Sequence, residues 1–364
     1  INGSADIVVM TTEVLRNMIY AESPALERLT HVVMDEIHFL ADASRGPVWE
    51  EVILNLAESV NIIGLSATVS GDTTVIVSEQ RPVPLDQWML VNRTLLPLFQ
   101  PGSTEHVNKK LEAKVHKLES GSISTQSYDK NQQARFRSRS RNGNQPGRSH
   151  RSGISRPADR FRPLGRPEVI QILQAHSMLP AITFIFSRAG CDAALLQCLR
   201  SRLTLTTQDE ANTIASIIDA GVADIPAADL EILRFKQWRA ALMRGFAAHH
   251  AGMLPAFRHI VEELFVKGLV RAVFATETLA LGINMPARTV VLEKLVKFNG
   301  ESHAELTPGQ YTQLTGRAGR RGIDTIGNAV VQWSPAMEPQ AVAGLASTRT
   351  YPLISTFTPG YNMS

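Results

Sequence analysis

Five times along the sequence a short apolar run ends in small hydroxyl-bearing or charged residues. Asp6–Met10 leads into Thr11-Thr12, Thr30–Met34 into Asp35-Glu36 and Asn61–Leu65 into Ser66-Ala67-Thr68. Ala181–Phe186 leads into Ser187-Arg188, and Val270–Ala275 into Thr276-Glu277. Runs that are apolar at consecutive positions, rather than alternate ones, are the mark of strands covered on both faces, as in parallel sheets packed between helices. Helix-compatible segments follow at Glu13–Tyr20, Pro47–Glu58, 189–203 and Pro255–Lys267. The alternation predicts an α/β fold with parallel strands and helices on both faces. Open sheets of this kind take ligands beyond the carboxyl ends of their strands.

Two stretches break the alternation. Only Val69–Asp72 separate Ser66-Ala67-Thr68 from the next strand-like run, Thr73–Ser78. A parallel return needs a crossover of about a dozen residues, so that run is expected at an edge or antiparallel. Proline-rich Arg81–Leu98 reads as an extended connector, and Lys109–Leu118 as a short charged helix. Gly121–Arg166 is low in complexity, and too poor in apolar residues to order itself. Net charge is only +3, yet residues 135–166 hold ten arginines and one acid, Asp159. That stretch is either an auxiliary phosphate-backbone contact or a soluble insertion. Order resumes with helices at Pro167–Met178, Gln208–Ala220 and Ala227–Met243, the last carrying Leu230, Ile232, Leu233, Phe235 and Trp238. Strands are expected at Thr289–Leu292 and Asn328–Trp333, with Pro308–Thr315 between them, and no clear pattern from Val342 onward.

The excluded classes are quickly named. No apolar run approaches the ~20 residues of a membrane span, which points away from a membrane and to the cytoplasm. Cys191 and Cys198, seven apart on one helical run, are too far apart for a disulfide and read as packing residues. His249-His250 would suggest zinc, but adjacent histidines point apart and no cysteine or acid sits at ligand spacing.

The polar strand ends carry the candidate chemistry. Asp35, Glu36 and His38 close an apolar strand, where paired carboxylates cost energy unless they have a partner. Asp35 could hold Mg²⁺ through water, Glu36 could orient or deprotonate an attacking water, and His38 could couple to the neighbouring segment; a solvated acid pair is the alternative. Thr11 and Thr12 either offer donors to a phosphate or cap a helix. Ser66 and Thr68 could report on the acid pair. Gln313–Asp324, QLTGRAGRRGID, sets Arg317, Arg320 and Arg321 among three glycines, a pattern suited to a triphosphate.

Taken together and in order, DEIH, SAT, FSR, HHAGM, ATETLALGINMP and QLTGRAGRRGID resemble superfamily-2 DExH-box helicases. The resemblance is strongest to the Ski-type, exosome-associated RNA helicases and their actinobacterial HelY-type relatives, and it covers nearly all of residues 5–336. It implies two RecA-like domains, the first incomplete, with ATP and Mg²⁺ as ligands. By likeness Asp35 and Glu36 are the Mg²⁺ and water residues, and Ser66 and Thr68 couple hydrolysis to movement. Gly282 and Asn284 face nucleotide or interface, Gln313 contacts phosphate, and Arg317 and Arg320 approach the γ-phosphate, Arg320 being the better arginine finger. The strand contacts fall on Thr11, Thr12, Ser187, Arg188, Thr276 and Glu277. Expected domains are residues 1–95, a linker with the arginine-rich insertion at 96–166, a second RecA-like domain at 167–336, and the start of a winged-helix-like region at 337–364.

The implied function is an ATP-dependent helicase acting on single-stranded RNA as a monomer, with RNA-decay machinery as a partner. A DNA-repair helicase and a non-catalytic nucleic-acid-binding remnant are the alternatives. The chain contains no GxxxxGK[ST] phosphate loop, so it reads as a fragment with little turnover of its own.

Overall fold

The computed structural model describes residues 5–37, 40, 46–65, 81–120, 161, 163–280, 285–298, 302–335 and 337–348. The expectations for His38, Ser66, Thr68, Thr73–Ser78, Gly282, Asn284 and the low-complexity stretch through residue 160 lie outside these residues. Contacts divide the chain into two compact units that part between Glu79 and Gln80, the second running to Ser347.

In the first unit β1 (His31–Asp35) pairs in parallel with β2 (Asn61–Leu65), Asp35 standing opposite Leu65. Helices α1 (Thr12–Tyr20) and α2 (Gly46–Asn55) complete it. Val32, Met34 and Val52 form its core, with Leu15, Ile19, Trp49 and Ile53 packed around them. Strand β1 alternates buried and exposed residues, so one face meets the helices while Val33 and Ile63 remain uncovered. The run Thr30–Met34 predicts a buried strand; among the described residues only one of its faces is covered. Asp6–Met10 forms no strand either. A strand needs a hydrogen-bonded neighbour, and no described segment pairs with it; Ile7 and Val9 are exposed.

The second unit is built on seven strands: β3 (Leu85–Val91), β4 (Thr94–Pro97), β5 (Ala181–Phe184), β6 (Phe246–His249), β7 (Ala272–Ala275), β8 (Thr289–Leu292) and β11 (Gly327–Gln332). They lie in the order β4-β3-β11-β8-β5-β7-β6. All pairings are parallel except the edge pair β3–β4. The predicted burial on both faces holds here. Ile182, Phe184, Val273, Val290 and Val331 face one side, and Phe246, Ala248 and Phe274 the other.

Helix α4 (Arg166–Ala175) and α5 (Arg188–Arg200) help form the smaller cores, while α6 (Gln208–Gly221), α8 (Phe235–Met243) and α9 (Pro255–Val266) enter the larger one. Helix α5 buries Cys191 and Cys198 as free thiols, each pushed up to about 12 by burial. Between β8 and α10 (Pro308–Thr315) stands a separate hairpin of β9 (Val296–Phe298) and β10 (His303–Glu305).

Three boundaries differ from the sequence reading. The first domain was expected to reach residue 95, but β3 pairs with β11 residue by residue from Leu85 to Leu90, which draws 81–97 into the second unit. The prolines that suggested a connector sit just before β3 and at the last residue of edge strand β4, where a missing N–H is tolerated. Part of the expected linker is core as well. Helix α3 (residues 109–120) buries Leu111, Val115 and Leu118, the 4- and 3-residue spacing of one helical face. Helix α11 (Pro339–Ser347) packs against α10 and belongs with the second unit. The single helix expected over Ala227–Met243 is two, α7 (Ala227–Ile232) and α8. Arg234 breaks them in the left-handed region at φ +54°, letting Phe235 join Trp238 and Phe257, whose rings stack 4.2 Å apart.

Candidate nucleotide and strand sites

In the first unit Asp35 ends β1 and Glu36 follows in the left-handed region at φ +58°. A non-glycine residue there costs about 1–2 kcal/mol, so this turn is held by its surroundings. Part of the support is Gly64 on β2. A Cβ at that position would stand 2.8 Å from Ile37 Cδ1, so glycine lets the segment after Glu36 fold back over the neighbouring strand. The Asp35 side chain reaches solvent and Glu36 is half-buried. Mg²⁺ keeps most of its water and needs only one or two carboxylates beside substrate phosphates, a demand this pair fits.

Thr11 is the N-cap residue of α1, but its side chain makes no capping bond. Simple capping, the alternative reading, is therefore not what its hydroxyl does. Backbone N–H groups of Val14 and Leu15 instead donate to the Thr11 carbonyl.

In the second unit the candidate residues separate to opposite ends of the sheet. At the carboxyl end of β5, Ser187 caps α5, its Oγ accepting from the Gly190 N–H at 3.2 Å, and Arg188 is exposed. Beside it, at the end of β6, His249 Nε2 meets Glu262 at 2.8 Å and His250 Nε2 meets Asp192 at 3.2 Å. Burial lowers the His249 pKa against the opposing pull of Glu262. At the end of β7, Thr276 Oγ1 bonds Thr278 Oγ1 at 2.9 Å.

Glu277, named above as a strand contact, is held by Lys297 Nζ at 2.8 Å from both carboxylate oxygens. That lysine belongs to the β9–β10 hairpin, where Phe298 is exposed beside His303, ring centroids 5.5 Å apart. The hairpin went unread in the sequence. Its signal was there: Asn299-Gly300 between alternating VKF and HAE is the strongest short-range hairpin pattern.

The arginine segment lies at the other end, where β8 and β11 begin. The Ala287 N–H donates to Arg317 O at 2.9 Å, and the Gly319 N–H donates to Ala287 O at 2.7 Å. Gly319 has φ +90°, and a Cβ on it would stand 2.7 Å from Val83 Cγ1, so only glycine closes the turn this tightly. Arg81 holds the end of α10, its Nη2 donating to the carbonyls of Thr315, Gly316 and Ala318 at 3.2–3.3 Å. Burial lowers its pKa.

Gln313 Nε2 is buried with no hydrogen-bond partner among the described residues. Arg320 is fixed by Asp324, with Nε to Oδ2 at 2.8 Å and Nη2 to Oδ1 at 2.9 Å. Burial would raise the Asp324 pKa, but bonds from Arg320 and Arg288 hold it far below the usual carboxylate range. The loop carries Gln313, Arg317 and Arg320 within eight residues. Arg81, Arg288 and Asp324, which support it, were not singled out in the sequence.

Residues 1–75 match the DEAD/DEAH box helicase family, and residues 216–322 the helicase conserved C-terminal domain. The chain is 57% identical over its whole length to the probable helicase HelY of Mycobacterium tuberculosis, covering 40% of that protein. It is 37% identical over its whole length to the chloroplastic DExH-box ATP-dependent RNA helicase DExH15 of Arabidopsis thaliana, covering 32% of it. Over 91% of its length it is 34% identical to mouse superkiller complex protein 2, covering 26% of that protein. The chain therefore spans two fifths or less of these curated relatives. Among the described residues no helix is long and apolar enough to cross a membrane. The paired carboxylates, the arginine loop and these matches agree, and the chain belongs to the Ski-type branch of the superfamily-2 DExH-box helicases.

Proposed function

We propose that this chain is core machinery of an ATP-driven helicase that moves along single-stranded RNA. The observation that carries the reading is the arginine loop. A buried amide donor without a partner among the described residues, Gln313 Nε2, and a fixed guanidinium, Arg320, sit within eight residues of each other. A buried unpaired donor costs about 1–3 kcal/mol, and a phosphate oxygen would satisfy it.

In this reading Asp35 would hold Mg²⁺, which would supply positive charge against the triphosphate. Glu36 takes the proton of the attacking water. Gln313 donates to phosphate, and Arg317 and Arg320 stabilise the charge that builds during transfer. At the far end of the second unit's sheet Ser187, Arg188 and Thr276 meet strand phosphates, and exposed Phe298 offers a stacking face to a base. Strand β7 ends at the strand-binding end of the sheet, and β8, the next strand in sequence, begins at the arginine-loop end. Thr11, Thr12, Ser66, Thr68, Gly282 and Asn284 keep the roles that the family resemblance implies. RNA as substrate rests on relatives such as the Arabidopsis RNA helicase. RNA-decay machinery as a partner rests on family membership.

The strand-binding half is tested by Arg188→Ala. If Arg188 meets a phosphate, single-stranded RNA affinity falls at every sequence and the slope of log K against log salt drops by about one contact. Fluorescence anisotropy across a salt series reads both. An unchanged slope removes Arg188 from the strand path.

A further inference from the structure

Asp324 sits between two arginines with all of its acceptor capacity used. Oδ2 accepts from the backbone N–H of Arg320 at 3.0 Å and from Arg320 Nε at 2.8 Å. Oδ1 accepts from Arg320 Nη2 and from Arg288 Nε, both at 2.9 Å. The Asp324 side chain is 1% exposed. Arg288, from the residue before β8, is tied at its other end by Nη1 to Ser177 O at 2.8 Å.

The turn does not need this arrangement to close. Backbone bonds from Ile323 and Asp324 N–H to Arg320 O, the ladder through Ala287, and Arg81 already hold the backbone. What Asp324 adds falls on one side chain. It takes the Nε–Nη2 edge of Arg320 and leaves Nη1 without a partner among the described residues. A two-pronged carboxylate–guanidinium pair fixes the plane as well as the position of the arginine. Such a pair alone is electrically neutral, which would blunt an arginine meant for phosphate. Arg288 changes that sum: one carboxylate shared by two guanidiniums leaves a net positive charge.

We propose that Asp324 and Arg288 are positioning residues for Arg320: Asp324 aims its free edge, and Arg288 offsets the charge that Asp324 would otherwise cancel. This rests on Arg320 being the phosphate-facing arginine argued above. The device needs three groups from three places in the chain. Asp324 comes from the loop itself, Arg288 from the start of β8, and the Ser177 carbonyl from just beyond α4.

The test is steady-state ATP turnover by the full-length protein with saturating single-stranded RNA, varying ATP. Asp324→Asn keeps the shape and removes the charge, and it lowers kcat about a hundredfold with KM for ATP moved less than about twofold. Arg288→Gln lowers kcat about tenfold with KM again held, and Arg288→Lys restores part of it. A merely structural staple would lower the amount of folded protein and leave kcat per folded molecule unchanged. In the Arg320→Ala background, adding Asp324→Asn or Arg288→Gln costs nothing further, because both act through a side chain no longer present. Wild-type kcat in both Asp324→Asn and Arg288→Gln, or full multiplicative losses in the double variants, overturns the proposal while leaving Arg320 in its role. Wild-type turnover by Arg320→Ala alone overturns the role of Arg320 and this inference with it. Arg288, about one-third exposed, supplies the kinetic answer even where Asp324→Asn fails to accumulate.

Discussion

Glu36→Gln is expected to bind ATP as tightly as the parent and to lose turnover by about 10²–10⁴-fold, the range of a positioned general base. The exchange keeps size and hydrogen-bonding geometry and removes only the basic carboxylate. The site supports a chemical role. Glu36 is a non-glycine residue in the left-handed region, and backbone strain of this kind collects at functional sites and is paid for by surrounding structure. It also stands one residue beyond the strand-terminal Asp35, which leaves the two carboxylates separate tasks. Nucleotide affinity by equilibrium titration and phosphate release under saturating ATP measure the two effects apart. Retained turnover would take the base role away from Glu36.

Arg320→Ala is expected to cost more, about 10³–10⁵ in kcat, the value of an arginine that meets developing phosphate charge. Arg320→Lys is not a rescue. The ammonium cannot reproduce the two parallel bonds that Arg320 makes to Asp324, so its charge is neither aimed nor held in a plane. ATP KM should change far less than kcat, because the interaction matters mainly in the transition state. A variant that loses binding and rate in equal measure would place Arg320 in ground-state recognition.

The parts of this account that were legible from sequence are the ones encoded locally. Ala181–Phe184 and Thr289–Leu292 are largely apolar, without polar alternation, and lie in the interior of a parallel sheet. Pro308–Thr315 is helical, and its start is written locally: Thr307 and Gln310 form a capping box around Pro308 in the first turn. Asp35 and Ser187 stand at or just beyond strand ends, as their placement after apolar runs implied.

What escaped depends on distant partners. Leu85–Val91 became a sheet strand through β11, more than 230 residues later, and its flanking prolines pointed the other way. Lys109–Leu118 looked charged because three buried positions, Leu111, Val115 and Leu118, are all the core asks of that helix. The partner of Glu277, Lys297, lies 20 residues away on the hairpin and holds both of its oxygens. Arg81, Arg288 and Asp324 carry little local signal, since each acquires meaning from a carbonyl or charge that only the fold brings near.

The central claim is that one protein couples ATP hydrolysis to an RNA strand. Its most direct test is the ATP turnover of the full-length protein with no nucleic acid, with single-stranded RNA and with single-stranded DNA of the same sequence. The account predicts that RNA raises turnover above the strand-free rate and above the rate with DNA, and that Arg188→Ala weakens the stimulation. Turnover that ignores both strands would contradict the coupling, and stimulation by DNA equal to or greater than that by RNA would contradict the choice of substrate.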